Sequence, residues 1–365
     1  MNAAAEFEAK QQRLRELLDV RGASALVLES QASLAWLLGG ARVHVSLAAP
    51  PIVHAVVDRD GVTVHTTANE RDRLAEEELP EGVELVASAW HAGAAPRSGP
   101  DVLAERTVDT ELAGLRRRLL PVERERYRVL CREAAVVVGG ALRGARPDDR
   151  ERSLAARVAA GLVELGAEPL VVLVAGAERL GHRHPLPGDG PLGRRAMVVV
   201  CARRRGLIAN LTRWVRFDPS VGTAGFGPAQ ETENLRREHD AERRILEVEA
   251  AAFAALEPGR PFTEVFDTLV RAYGEHGFDR DEWRRHHQGG PAGYAGREPR
   301  LVPGVPGIVE AGQAFTLNPS APGVKVEDTV FVTGDRARPV EPISVDPDWP
   351  TVVVSGVARP LVLER

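Results

Sequence analysis

The sequence predicts an α+β fold in two domains, a smaller α/β domain followed by a larger domain of helices and hairpins. The chain has 365 residues, which is long for a single domain. Strands alternate with helices over its first third, as expected of an α/β domain. Farther along, long helical patterns are interleaved with strand pairs that resemble antiparallel hairpins, which favours an α+β second domain.

Local patterns predict the elements of the first domain. Apolar residues at helical spacing predict a helix over residues 7–18. The run ALVLES at 25–30 predicts a strand, and the SLAWLLGG segment after it predicts a second helix. Asp60-Gly61 between alternating apolar runs predicts a hairpin, and another strand is expected around 83–87. The Gly, Ala and Pro content of 92–100 indicates a loop or linker.

Helices and hairpins are predicted in turn for the second domain. A buried strand is expected at 170–178. Helices are predicted at 121–145, 148–165, 231–256 and 263–276. Hairpins are predicted in VVVCARRRGLIANLTR at 198–213 and in AFTLNPSAPGVKVEDTVFVT at 314–333.

Composition indicates a cytoplasmic globular protein. The apolar content is 44%, the charged content 27% and the formal net charge −5, so no basic field recruits nucleic acid. Two cysteines cannot build a disulfide scaffold, and a reducing compartment is expected. No apolar run approaches the length of a membrane span or a signal core. We therefore expect no nucleic-acid partner and no membrane partner.

Two histidines close together follow the strand predicted at 170–178. His182 and His184 lie two apart in the glycine-rich segment GAERLGHRHPLPGDGP, and in an extended chain they point the same way. Histidine is the usual acid/base at neutral pH, so this pair is a candidate for proton transfer. The alternative is a surface loop that happens to carry two histidines.

The segment RRHHQGGPAGYAGRE at 284–298 has the most unusual local composition in the chain. Glycines allow the backbone to approach a ligand closely. Histidine, tyrosine and arginine supply proton transfer, a hydroxyl and a carboxylate clamp. The candidates are His286, His287, Tyr294 and Arg297. A flexible surface loop is the alternative.

Two further residues have a functional and a structural interpretation. Glu327, flanked by valines, is expected to point inward, where a carboxylate needs a partner. The structural alternative pairs it with Lys325 on the same face of a strand. Cys201 follows three valines and is expected to be a small core residue rather than a nucleophile.

Taken in order, these segments resemble the creatinase/aminopeptidase P/prolidase superfamily, peptidase family M24, with the pita-bread fold. The resemblance covers nearly the whole chain, and RLRELLDVRGASALVLESQASLAWLLGG is similar to the start of the family's N-terminal domain. It implies a creatinase-like N-terminal α/β domain at 1–112 and a C-terminal pita-bread domain at 113–365. It also implies a homodimer, as in creatinase.

The resemblance also implies where metal ligands would lie. In the metallopeptidase members two Asp, one His and two Glu hold two divalent metals. The matching positions here are Val199, Asn210, His287 (with His286 as the neighbouring possibility), Asn318 and Glu327. Three carboxylates are thus replaced by a valine and two amides, which lack the charge that two hard dications require. We predict no metal and no other cofactor.

Creatinase, a metal-free relative, implies a histidine-driven reaction. Its His-Asn-Pro and Tyr-x-Gly-Arg-Glu sequences are similar to Arg183-His184-Pro185 and to 294–298 here. The leading hypothesis is a metal-independent enzyme for a small amino-acid-like substrate. The reaction would be C–N bond hydrolysis or a related His-driven cleavage or rearrangement, with His184 or His182 shuttling the proton.

The remaining roles follow from the same resemblance. His287 would be a second acid/base, and Arg297 would hold a substrate carboxylate. The groups left to orient substrate or histidines are His286, Tyr294, Asn210, Asn318 and Glu327. One alternative function is an Xaa-Pro dipeptidase with a degenerate metal site on His287 and Glu327. The other is a non-catalytic peptide-binding module.

Overall fold

The computed structural model describes residues 2–93, 96–218 and 228–365, with no account of the side chains of 228–231. Two compact units make up the chain. The first unit consists of Met1–Arg126, Arg204–Leu207 and Gly293–Ala295, and the second of Tyr127–Arg203, Ile208–Ala292 and Gly296–Arg365. Part of the loop predicted at 92–100, residues 94 and 95, lies outside the described residues.

The first unit is built on a five-stranded mixed sheet. Its strands are β1 (Ala25–Leu28), β2 (His54–Asp58), β3 (Val62–Thr67), β4 (Glu84–Ser88) and β5 (Val102–Ala104), in the order β4-β3-β2-β1-β5. Its helices are α1 (Ala3–Arg21), α2 (Gln31–Leu37), α3 (Arg71–Arg73) and α4 (Asp109–Arg117). The hairpin predicted at Asp60-Gly61 is confirmed, since β2 and β3 pair antiparallel. The predicted first helix, first strand and strand near residue 85 are confirmed as α1, β1 and β4.

A buried ionic cluster lies inside the first unit. The Lys10 ammonium, fully buried, is 2.8 Å from a Glu123 carboxylate oxygen and 2.5 Å from one of Glu6. It also donates to the Trp36 carbonyl at 2.7 Å. The Tyr294 hydroxyl donates to Glu123 at 2.6 Å. Buried charges require such partners, and here every carboxylate of the cluster meets a cation.

The second unit contains two four-stranded sheets and two short strand pairs. The first sheet has the order β17-β8-β7-β6 and comprises β6 (Glu168–Ala175), β7 (Arg195–Arg204), β8 (Leu207–Arg216) and β17 (Leu363–Glu364). The other has the order β14-β13-β10-β9 and comprises β9 (Gly289–Pro291), β10 (Ala314–Leu317), β13 (Asp328–Asp335) and β14 (Arg338–Pro342). The short pairs are β11 (Ser320–Ala321) with β12 (Val324–Lys325), and β15 (Thr351–Val354) with β16 (Val357–Pro360).

Long helices accompany these sheets. They are α5 (Pro121–Arg143), α6 (Glu151–Glu164), α7 (Pro228–Ala254) and α8 (Phe262–Glu275), which confirms the four predicted helices. Helices α7 and α8 pack their apolar faces on β10 and β13, with Phe262 edge-on to Phe315 at a ring separation of 5.7 Å. This apolar layer forms the main core of the second unit and gives the site a rigid base.

The hairpin of β7 and β8 turns at Arg205-Gly206, where both residues have positive φ, 49° and 78°. That is the geometry of a type I′ two-residue hairpin, which glycine tolerates at no steric cost. A Cβ at Gly206 would lie 2.7 Å from the Cβ of Ala35 and from the Tyr294 ring. The glycine is therefore required by close packing within the first unit as well as by the turn.

The two sheets of the second unit are joined beside the candidate site. The Thr212 amide donates to the Glu327 carbonyl at 3.0 Å, and the Asn210 amide donates to the Thr329 hydroxyl at 3.0 Å. The Arg213 guanidinium, also on β8, is 2.8 Å from Asp328. These bonds fix β8 against the start of β13.

In the part of the chain that the structure describes, no helix combines the length and apolarity of a membrane span.

Candidate functional site

A cavity of about 480 Å³ lies in the second unit, lined by strands of the first sheet, by β12 and by connecting segments. Aliphatic and polar side chains of β6, β7 and β8 form its first wall, namely Val171, Leu173, Val199, Cys201 and Asn210. The rest of the lining carries the groups with chemistry, namely His184, His287, Arg297, Arg300, Asn318, Lys325 and Glu327. The volume suits a small molecule.

Strand register explains the first wall. Leu173 is paired with Val199 and Val171 with Cys201, and successive side chains of a strand alternate between faces. The four residues therefore share one face, and that face lines the cavity. Val199 and Asn210, which the resemblance places at two ligand positions of the family, both lie on this wall. The wall is largely uncharged as a result.

Glu327 is the one carboxylate among the residues lining the cavity, and both of its oxygens are occupied. Arg297 Nη2 lies 2.6 Å from Oε1, and Lys325 Nζ lies 3.0 Å from Oε2. The Thr212 hydroxyl donates to Oε2 at 2.9 Å. Burial raises the pKa of Glu327, but Lys325 and Arg297 outweigh it and lower the pKa to about 2. Both interpretations of Glu327 hold in part, because it points inward and pairs with Lys325.

Three histidines meet at the edge of the cavity. The Nε2 atoms of His184 and His286 are 3.2 Å apart, and the His184 and His287 rings stack with centroids 6.1 Å apart. Desolvation and the nearby cations Lys325 and Arg300 lower the pKa of His184. Burial, followed by the charge of Arg297, lowers the pKa of His287 to about 4. Burial, followed by Lys325, lowers the pKa of His286 to about 2. All three imidazoles are thus neutral at pH 7.

Contacts through Ser320 and Arg183 position the His286 ring. Its Nδ1 lies 3.3 Å from the Ser320 hydroxyl, which accepts a hydrogen bond from Arg183 at 3.1 Å. Arg183 in turn pairs with the buried carboxylate of Glu282. His286 does not line the main cavity but a smaller neighbouring one, so its contact with the cavity runs through His184 and His287.

Two of the predicted site residues lie elsewhere. His182 is exposed and is absent from the described residues that line the cavity. Tyr294 belongs to the first unit, where its hydroxyl is bound to Glu123 and the residue is only 4% exposed. The buried Lys10, Glu6 and Glu123 draw the tyrosine into their cluster because a buried carboxylate gains from an additional donor.

The two amides are buried and Cys201 is half-buried at the cavity. Asn210 donates from its amide nitrogen to the Ile208 carbonyl at 2.9 Å, which leaves its oxygen without a hydrogen-bond partner among the described residues. The Asn318 oxygen is likewise unpartnered in the described part of the chain. Cys201 lines the cavity, but burial raises its thiol pKa to about 11, so it stays a thiol rather than a nucleophilic thiolate.

Sequence reasoning did not identify two cations of this cavity as site residues. Lys325 was considered only as a structural partner, although its spacing of two from Glu327 on a strand places both on one face. Arg300, an exposed residue at the cavity, gave no pattern signal, since it follows a proline in an irregular segment.

A second cavity of about 420 Å³ is less suited to catalysis. Its lining is largely aliphatic, as at Leu246 and Val353, and shares only Lys325 with the first among the described residues. Its histidine, His239, contacts Arg216 rather than a second histidine. The cavity with the three histidines is therefore the candidate active site.

The residues of the candidate site do not fit a dinuclear metal centre. The five positions that the resemblance assigns to metal ligands line the cavity, yet they supply one imidazole, one carboxylate, two amides and an isopropyl group. The one carboxylate is already bound by Lys325 and Arg297. Two dications require several anionic oxygens and would repel these cations.

A single cation has a more favourable donor set. His184, His286 and His287 each offer a ring nitrogen, and these atoms all lie within 4.8 Å of one another. Neutral imidazoles are the form that binds zinc and related metals. Lys325 and Arg300, whose charges lower the pKa of His184, would oppose a dication there.

Comparison with known proteins identifies the fold. The structure is similar to the prolidase from Pyrococcus horikoshii OT3, with a TM-score of 0.71 and 18% identity over 93% of this chain and 98% of that one. It is similar to the Xaa-Pro dipeptidase from Bacillus anthracis, with a TM-score of 0.71 and 15% identity over 98% and 100%. Dipeptidase PepE from Mycobacterium ulcerans matches with a TM-score of 0.70 and 18% identity over 99% of both chains.

The predicted fold class is confirmed, an α+β fold with a creatinase-like N-terminal α/β domain and a C-terminal pita-bread domain. No protein of curated function matches the chain by sequence. The sequence profile of Metallopeptidase family M24 matches residues 125–334, more than half of the chain. The chain belongs to metallopeptidase family M24.

Proposed function

We propose that the chain is a metal-independent hydrolase that cleaves a C–N bond in a small, polar, amino-acid-like molecule by histidine acid/base catalysis. The observation that carries the proposal is that cationic side chains already bind both carboxylate oxygens of Glu327. The only carboxylate among the residues lining the cavity is bound by Lys325 at 3.0 Å and by Arg297 at 2.6 Å. A side-chain ammonium thus provides the positive charge that a metal supplies elsewhere in such sites.

The proposed reaction is addition of water across the C–N bond. His184, neutral at pH 7 and at the cavity edge, takes a proton from water as the water oxygen bonds to the substrate carbon. The carbon–nitrogen bond then breaks, and the nitrogen leaves with the proton that His184 returns, either directly or through His287, which accepts one proton as it passes another on. From an N-acyl substrate a carboxylic acid and an amine result, and both histidines end as they began.

Lys325 is proposed to stabilise the charge that develops on the substrate oxygen. An ammonium has three donors, and one of them faces Glu327. A cation in a largely buried site acts strongly on a developing oxyanion because little water screens it. Arg297, which the family resemblance assigns to a substrate carboxylate, is proposed instead to orient Glu327, since its Nη2 is already engaged there.

Elemental analysis and turnover together test the proposal. The purified protein should hold much less than one metal ion per chain, and its activity on N-acyl amino acids or amidino acids should survive excess chelator. Stoichiometric metal combined with chelator-sensitive cleavage of proline peptides would overturn the proposal.

That second outcome would support an alternative function, an Xaa-Pro dipeptidase with a degenerate metal site. The convergence of His184, His286 and His287 favours this alternative. The similar structures include a prolidase and an Xaa-Pro dipeptidase, which agrees with this alternative. Added manganese should then stimulate the cleavage of Xaa-Pro dipeptides.

A non-catalytic peptide-binding module is the third function to be tested. Peptide binding without turnover, unchanged by substitution of His184 and His287, would favour it. The cytoplasmic location and the homodimer stay predictions, and light scattering of the purified protein measures the second.

A further inference from the structure

The charges lining the candidate site do not balance. Three cations, Arg297, Arg300 and Lys325, face one carboxylate, Glu327, which leaves a net charge of +2. An excess of positive charge around a cavity attracts anions, so the pocket favours a ligand that brings two negative charges.

The cations with hydrogen-bond donors left for a ligand are Arg300 and Lys325. Arg297 is engaged, since it binds Glu327 and the Gly296 carbonyl. Arg300 has neither an ion pair nor a hydrogen bond with any residue that the structure describes. Its guanidinium offers five N–H donors in a fork that matches a carboxylate. Lys325 keeps two of its three donors beyond the one that faces Glu327.

The amides point to a different group on the same ligand. The oxygens of Asn210 and Asn318 are buried and have no donor among the described residues. In Asn210 the contact of the amide nitrogen with the Ile208 carbonyl fixes the oxygen on the other side. A buried acceptor without a partner costs free energy, and a ligand N–H removes that cost.

We propose that the pocket takes a small dicarboxylate that carries an N–H group, an N-acylated acidic amino acid in chemical class. One carboxylate binds Arg300, the other lies near Lys325, and the N–H faces the two asparagines. A cavity of about 480 Å³ has room for a ligand of this size. The inference rests on the proposed function in that the N–H then belongs to the C–N bond that is cleaved.

Calorimetric titration with three matched ligands tests the proposal. N-acetylglutamate is a dianion, N-acetylglutamine is a monoanion of nearly the same shape, and N-acetyllysine lacks the second anion and adds a cation. We expect a Kd for N-acetylglutamate at least about tenfold below that for N-acetylglutamine, as one charge-assisted contact provides. Equal affinities would overturn the proposal, and so would inorganic phosphate binding as tightly as N-acetylglutamate.

Two arginine variants locate the effect. Arg300→Gln should abolish the preference for the dianion, whereas Arg132→Gln, an exposed arginine of α5 away from the cavity, should keep it. Both positions are exposed, so both variants should fold. A preference that survives Arg300→Gln would contradict the assignment of this residue.

The same titrations in His184→Ala measure ligand binding without turnover. Together with hydrolysis assays of the wild type, they separate this inference from the proposed function. A preference for the dianion without hydrolysis in the wild type would sustain the inference and remove the proposed function. Hydrolysis of uncharged substrates without any preference for dianions would sustain the function and overturn the inference.

Discussion

The Lys325 ammonium lies 3.0 Å from the Glu327 carboxylate, the one carboxylate among the described residues that line the candidate site. Lys325 and Glu327 lie two residues apart on one face of the chain, at the end of β12 and just before β13. Both are buried. Arg297 binds the other oxygen of the same carboxylate at 2.6 Å, so a single negative charge meets two cations. The two ion pairs therefore leave the candidate site with an excess of positive charge.

Restoring carboxylates should restore metal binding. In Asn210→Asp combined with Asn318→Glu, two more carboxylates line the cavity with His287 and Glu327. We expect this variant to bind Mn²⁺ measurably by calorimetry while the wild type does not, because hard dications need charged oxygen ligands. Adding His287→Ala to the variant should weaken that binding. Wild-type protein that takes up stoichiometric Mn²⁺ would contradict the argument.

His184 and His182 form a matched pair of substitutions. His184→Ala should lower kcat/KM on the order of a hundredfold or more, as expected for loss of a general base. His182→Ala should leave it unchanged, since that side chain is exposed and away from the cavity. Since the pKa of His184 lies below 6.5, the rate should fall only on the acid side of pH 6.5. Equal effects of the two substitutions would exclude His184 as the base.

Parts of this site could be predicted from local pattern, and others depend on contacts far apart in the sequence. Periodicity of two in VKVEDTV predicts that Lys325 and Glu327 share a face, and the five positions that the resemblance assigned to metal ligands all line one cavity. The destination of Tyr294 depends on Glu123, 171 residues away, and no local pattern carries that information. Whether Arg300 has an ion-pair partner likewise depends on which carboxylates bind the neighbouring cations, as Glu327 binds Arg297 and Lys325.

Acid should destabilise the first unit through His54. Burial and, to a smaller extent, the stacked His65 lower the pKa of His54 below 6.5. The unfolded chain then binds a proton that the folded chain does not, so stability present above pH 6.5 is lost as the pH falls. Between pH 7.5 and 5 the Tm of His54→Gln should therefore fall less than that of the wild type. His91 is exposed, so His91→Gln serves as the control and should show the same fall in Tm as the wild type. Equal falls in Tm for His54→Gln and the wild type would refute the linkage.

Tyr294→Phe should affect stability and leave ligand binding intact. The variant removes a 2.6 Å hydrogen bond to the buried Glu123 carboxylate, and such a bond is worth about 1.5–3 kcal/mol. Urea denaturation measures the loss, and titration with N-acetylglutamate measures binding. A changed Kd with unchanged stability would return Tyr294 to the substrate site.

Gly206→Ala should destabilise the protein more than Gly22→Ala does. Both glycines have positive φ, 78° and 63°, where an added Cβ costs about 1 kcal/mol or more. At Gly22 the Cβ would meet nothing within 4 Å, whereas at Gly206 it would lie 2.7 Å from Ala35 and from the Tyr294 ring. The difference between the two free energies of unfolding, measured by urea denaturation, therefore isolates the packing of the hairpin tip from backbone strain. Equal losses would mean that the tip moves away at no cost and that the turn alone requires glycine.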